Sequence, residues 1–184
     1  MIVGHWGIAY AVSAKTRDAP FLLFAVASIA PDCLDVVYAI AGVCSPYGVY
    51  SHSLPALLPL AAVAAVAIWL LTRNWRFGLV GMALVLIHLP ADWVTGRKAL
   101  FLAGPLAGAN LYSWPIVDFL LEVPLLVAGW LAARRAETRP RWAVAIPTLL
   151  ILVTIQGAGN VMRFLNLENP VSSQNPACRD TWRH

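Results

Sequence analysis

The 184-residue chain is predicted to be all-α, a polytopic transmembrane bundle of about five to six helices, and three observations carry that expectation. Hydrophobic residues make up 60% of it and charged residues 12%, where a soluble domain carries about 25% charge. The apolar residues gather into runs long enough to cross a bilayer, which takes about 20 helical residues. The Lys and Arg residues fall in short clusters between those runs, the pattern that sets membrane topology. Residues 1–165 are therefore expected to form a single transmembrane helical domain, and residues 166–184 a polar C-terminal tail without a core of its own. The net charge of +4 follows from loop clusters, not from one basic face, and no nucleic-acid partner is expected.

The first segment, Met1–Ala14, would wind into only about 21 Å of helix, short for a full span. It is expected to span poorly or to sit partly in the interface; lacking a basic leading region, and with His5 interrupting its apolar run, it does not read as a cleavable signal. Phe21–Val43, His52–Leu71, Phe77–Gly96 and Trp142–Leu165 are clear spans by length and apolarity. Trp114–Ala133 is a fifth, interrupted by Asp118, Glu122 and Pro124. The loop Arg97–Ser113, with Gly104, Pro105 and Gly108, is expected to dip back as an irregular re-entrant piece. No internal repeat is evident. Alternate loops hold Lys15, Arg17, Arg73, Arg76, Arg134, Arg135, Arg139 and Arg141 against Arg97, Lys98, Arg163, Arg179 and Arg183 on the other side. The denser set belongs in the cytoplasm, which turns both termini outward. Cys44 and Cys178 are the pair that would join if both face an oxidising compartment; Cys33 sits in an apolar run.

Ionisable groups inside apolar runs are the feature that points to function. A charged side chain at mid-bilayer costs roughly 2.5–3.5 kcal/mol or more, so it is rarely idle there. His5, Asp32, Asp35, His52, His88, Asp92, Asp118 and Glu122 all fall within about 16 Å of a helix end at 1.5 Å per residue. Because consecutive spans run antiparallel, those ends share one side of the membrane. Several carboxylates brought together repel one another unless protons or a cation hold them, and a bound metal ion is the simplest remedy.

His88 and Asp92 lie four residues apart on one helix face, and Pro90 between them loosens the turn. Asp32 and Asp35 form a second same-face pair one turn apart, preceded by Pro31. The bland alternative is a helix that ends near Pro31 and leaves both carboxylates in a solvated loop. Ser51 or Ser53 reads as a helix cap beside His52, and His5 alone is either a ligand or an interfacial histidine. Asp118 and Glu122 share a face and are candidate metal ligands, catalytic bases or supporting partners. Arg97 and Lys98, just past Asp92, either anchor lipid headgroups or hold an anionic substrate group. A mixed set of imidazoles and carboxylates suits zinc first, with manganese or iron as further candidates.

These elements resemble a known family. Gly4-His5, Pro31-Asp32 with Asp35, Ser51-His52-Ser53-Leu54 and His88-Leu-Pro-Ala-Asp92-Trp-Val-Thr95 occur in the order seen in the YdjM-like bacterial inner-membrane proteins. The stretch from Arg97 through Gly104-Pro105 and Tyr112-Ser-Trp-Pro115 to Glu122 is similar to the continuation in one branch of that group. The resemblance covers roughly residues 4 to 122 and leaves the last helix and tail outside. It implies a helical membrane protein with a His/Asp metal centre and metal-dependent hydrolysis. The family pattern has a His-Arg-Gly stretch before its Thr-His-Ser-Leu element, where this chain has Tyr47, Gly48 and Val49.

The expectation is a membrane-embedded hydrolase of a lipid-like ester or phosphoester in the bacterial inner membrane. His5, Asp32, Asp35, His52, His88 and Asp92 would hold the metal, Glu122 and Asp118 would serve catalysis, and Arg97 and Lys98 would meet the substrate's anion. Two rivals use the same residues: a proton or metal-ion transporter, and a non-catalytic membrane scaffold.

Overall fold

A computed structural model describes residues 2–16, 18–45, 48–138 and 140–165, apart from the side chains of Ile2 and Arg163. Among the described residues seven α-helices follow one another: α1 (Ile2–Lys15), α2 (Phe21–Ile40), α3 (Val49–His52), α4 (Leu54–Thr72), α5 (Trp75–Thr95), α6 (Pro115–Arg135) and α7 (Ile146–Phe164). Four of them, α2, α4, α5 and α6, are long and apolar enough to cross a membrane. The helices line up by packing in the order α4, α5, α2, α1, α6, α7, which is not their order in the chain.

Local chemistry sets most of the boundaries. Pro115 and Pro147 sit in the first turns of α6 and α7, where the missing N–H costs nothing. Asn74 caps α5 by accepting from the Arg76 N–H at 3.0 Å. The last helix starts later than the run from Trp142 suggests, because Arg141–Val144 winds as a single 3₁₀ turn ahead of it. Pro31 does not end α2: the helix continues through it to Ile40, so Asp32 and Asp35 stay helical.

The third span differs from expectation at its start. His52 does not open it; His52 closes the one-turn α3, and Ser53 breaks the helix in an extended conformation before α4 begins. Ser53 stands at the N-cap position of α4 but makes no side-chain capping bond. The break turns His52 inward, independently of the lipid-facing helix that follows.

Packing between α1 and α6 is backbone against backbone. A Cβ placed on Gly129 would lie 2.1 Å from the Gly7 carbonyl oxygen, and one on Gly7 would lie 2.7 Å from that of Leu125. Small residues permit such approach in a bilayer, where tail lipid supplies no hydrophobic drive between helices. One apolar cluster, around Val3, Tyr10, Phe21, Leu126 and Trp130, fills the space between α1, α2, α6 and α7. A second, around Phe24, Leu57, Leu84 and Leu89, joins α2, α4 and α5. Between α5 and α6 the chain forms a small antiparallel hairpin, β1 (Lys98–Ala99) with β2 (Leu106–Ala107), instead of an irregular re-entrant loop. Backbone bonds from Leu54 N to Leu100 O (2.9 Å) and from Ala109 N to Trp93 O (2.8 Å) fasten it across the ends of α4 and α5. The expected tail, residues 166–184, lies outside the described residues.

Candidate metal centre

Asp32, His52, His88 and Asp92 each offer one donor atom, and these four atoms lie within 4.8 Å of one another. Three separate elements bring them together. Asp32 comes from α2, in the turn after Pro31; His52 closes α3; His88 and Asp92 project from successive turns of α5. Both histidines and Asp92 are fully buried, while the Asp32 side chain keeps 24% of its surface.

The distances are uniform. His52 Nε2 stands 3.1 Å from His88 Nε2, 3.3 Å from Asp32 Oδ1 and 3.3 Å from Asp92 Oδ2. His88 Nε2 stands 3.5 Å from Asp32 Oδ1 and 3.6 Å from Asp92 Oδ2. A tetrahedral zinc site with bonds of about 2.0–2.2 Å has donor–donor edges of about 3.3–3.6 Å. Five of the six donor–donor distances therefore approach those edges, the sixth, from Asp32 to Asp92, lies within 4.8 Å, and this cluster could hold a metal ion.

Proton accounting supports the same fit. The Ser28 carbonyl lies 2.8 Å from His88 Nδ1 and can only accept, so Nδ1 carries the proton and Nε2 presents a bare lone pair to the cluster. Metal-binding histidines are commonly oriented in this way, through the nitrogen that does not bind. One oxygen of Asp32, Oδ2, has no hydrogen-bond partner among the described residues.

Of the six ligands expected from sequence, the other two stand one step back. His5 Nε2 lies 3.2 Å from Asp92 Oδ1, and its ring stacks on His88 at 3.7 Å between centroids. It thus engages the Asp92 oxygen that does not face the cluster. Asp35, with 32% of its side chain exposed, accepts from the Ser51 hydroxyl and lies 3.4 Å from His52 Nδ1. Ser51 and His52 also meet, at 2.6 Å from Oγ to Nδ1, a contact the sequence reading assigned to neither.

The two cations separate. Lys98 on β1 turns inward, its Nζ 3.7 Å from Asp92 Oδ2, whereas Arg97 is exposed on the same hairpin. Gly48, which precedes α3, adopts φ +68°, and a Cβ there would lie 2.8 Å from Asp35 Oδ2, 2.9 Å from His52 Nδ1 and 3.1 Å from Lys98 Nζ. Gly48 departs from the family pattern, and its bare α-carbon makes room for three polar groups. Tyr47 lies outside the described residues.

Asp118 and Glu122 share a buried face of α6 that looks toward α1 and α7. Glu122 Oε2 accepts from the Gly4 N–H at 3.1 Å, one residue before His5. Asp118 Oδ2 accepts from the Gln156 amide at 3.0 Å, and Asn160 in turn donates to the Pro115 carbonyl at 2.6 Å. The described bonds of this pair run to α1 and α7, while the four-donor cluster is built from α2, α3 and α5.

Comparison with curated proteins and with solved structures yields no match. A family model does match, over residues 2–161, and so reaches into α7, well past the residue-122 limit of the resemblance read from motifs. Helices of spanning length agree with that match, and the chain is a member of the YdjM inner membrane protein family, integral to the inner membrane.

Proposed function

We propose that the protein is a metal-dependent hydrolase of a lipid-like ester or phosphoester, with Asp32, His52, His88 and Asp92 as the metal ligands. The observation that carries this reading is the four-donor cluster, whose spacing fits one tetrahedral ion. Two nitrogens and two carboxylate oxygens suit zinc first, then manganese or iron. When bound, such an ion polarises a phosphoryl or acyl oxygen and makes water acidic enough to deprotonate near neutrality.

The chain's own residues would do the rest. His5 holds Asp92 by its outer oxygen, and the hairpin fastened across the ends of α4 and α5 brings Lys98 to Asp92. Lys98 is the candidate for the substrate's anionic group, with Arg97 at the exposed rim. Glu122 is the candidate proton acceptor: it is buried and paired with the Asp118 carboxyl on the same face of α6. Lipid is favoured as the substrate class by the surroundings of Asp32 and Asp35. The part-exposed carboxylates lie on a helix whose next residues, Val36, Val37 and Ile40, are exposed and apolar.

A second reading has an observation of its own. Four protein donors close a tetrahedron, and closed sites are typically structural. A metal-stapled, non-catalytic scaffold would bind metal and lose thermal stability on chelation without turning over any ester. Transport is less favoured: among the described residues, the buried polar side chains of the opposite half are Ser13 and Thr138, neither of which relays protons at neutral pH.

The test is element-resolved metal analysis of detergent-purified protein, with a screen of lipid phosphoesters and carboxyl esters on the wild type, His88→Ala and Asp92→Ala. Metal in the wild type, with turnover lost in both variants, is the expected result. Turnover that survives both substitutions would sink the hydrolase reading. Metal without turnover of any ester would favour the scaffold.

A further inference from the structure

Ser51 is buried, and its hydroxyl meets three groups at once: Asp35 Oδ1, the Gly48 carbonyl at 3.0 Å and His52 Nδ1 at 2.6 Å. A hydroxyl has one proton to give. Asp35 Oδ1 is an acceptor, stands closer than the Gly48 carbonyl, and carries charge, so it takes the proton. The Ser51 oxygen is then left with lone pairs toward His52, and the contact at 2.6 Å requires the proton to sit on Nδ1. With the imidazole held through Nδ1, Nε2 is the nitrogen that faces the cluster, beside His88 Nε2, and a bound cation would take its lone pair. The direct approach of Asp35 Oδ2 to Nδ1, at 3.4 Å, is longer than the Ser51 contact.

Resting on the reading of the four donors as a metal centre, we propose that Asp35 and Ser51 are a serial positioning relay for His52, Asp35 fixing the Ser51 hydroxyl and Ser51 fixing the imidazole. Asp35 is on this account not a metal ligand, and Ser51 is neither a helix cap nor a nucleophile. The relay gives His52 what the Ser28 carbonyl gives His88, by a different route. Gly48 belongs to the same device, because a side chain there would occupy the space between Asp35 and His52.

Two readouts test it, and only one needs metal. Zinc affinity is measured by chelator competition, and coordination by the visible spectrum of the Co(II) form. Ser51→Ala should weaken binding about 10–100-fold, the usual effect of losing an orienting partner, with the Co(II) band shape kept. Asp35→Ala should match it, and the double variant should bind no more weakly than either single one, because links in series are not additive. Asp35→Asn, which retains an acceptor oxygen, should lose less. In metal-free protein, NMR of isotope-labelled histidine should find the His52 Nδ1 proton hydrogen-bonded and slow to exchange in the wild type, and faster to exchange in Ser51→Ala. Full additivity of the two alanine variants, or a Co(II) spectrum for Asp35→Ala like that of His88→Ala, would make Asp35 a ligand and overturn the relay. An Nδ1 proton in Ser51→Ala that exchanges as slowly as in the wild type would overturn it too. Failure of wild-type protein to bind any metal would instead strike the metal reading, and exchange of the Nδ1 proton would still judge the relay.

Discussion

Replacing His88 by alanine removes one of four donors and nothing else that faces the cluster. The size of the effect can be worked from the site. A four-ligand structural zinc site releases about 10–16 kcal/mol at neutral pH. An average donor therefore contributes about 2.5–4 kcal/mol, or roughly 10²–10³-fold in Kd. His88 should sit within that range, because its ring is buried and already held by the Ser28 carbonyl, so little ordering is left for binding to do. The assay is titration of zinc in detergent against a chromogenic chelator of known affinity, with circular dichroism and size exclusion to confirm that the bundle is intact. Asp92→Asn, which keeps the shape of the side chain and removes its charge, guards against a variant that merely fails to fold. Affinity within about threefold of wild type for both variants would refute the four-donor centre, whatever the protein then proved to do.

Three further outcomes follow from the same geometry. Gly48→Ala should destabilise by about 1–2 kcal/mol for the left-handed backbone alone and should also weaken metal binding, both read by thermal unfolding with and without zinc. Gly129→Ala should lower the unfolding temperature by overpacking worth about 1–3 kcal/mol, since its Cβ would meet the Gly7 carbonyl; unchanged stability would mean that α1 and α6 do not pack this closely. Cys33 is a free, exposed thiol and Cys44 is disulfide-bonded, so a thiol reagent should label Cys33 directly and Cys44 only after reduction. Equal labelling of both before reduction would count against the bond. Cys178, the partner expected from sequence, lies outside the described residues.

The helices were legible in the sequence because a membrane span is a local property. Twenty apolar residues must satisfy their own backbone hydrogen bonds in lipid, and a helix does so without reference to its neighbours. Depth was legible for the same reason: a fixed rise per residue and antiparallel alternation place His5, His52, His88 and Asp92 at one end before any packing is known. The family resemblance added order and ligand types, and the family match extends it to most of the described chain.

What depth cannot supply is direction around the helix axis, and there the tertiary structure decided. The chain order gives no hint that α1 lies between α2 and α6, or that α4 touches the bundle mainly through α5. Lipid tails are as apolar as leucine, so the contacts are chosen by close-fitting glycines such as Gly7 and Gly129, not by a hydrophobic stripe. Only that packing order separates the four clustered donors from His5 and Asp35, which touch Asp92 and His52, and sets Asp118 and Glu122 against α1 and α7. The break at Ser53, which frees His52 from the span, depends likewise on the hairpin carbonyl of Leu100 that binds the N–H of Leu54. The sequence alone determined which residues a membrane could not leave unpaired; the fold decided with whom each of them pairs, because partners lie on other helices and no local rule reaches across lipid.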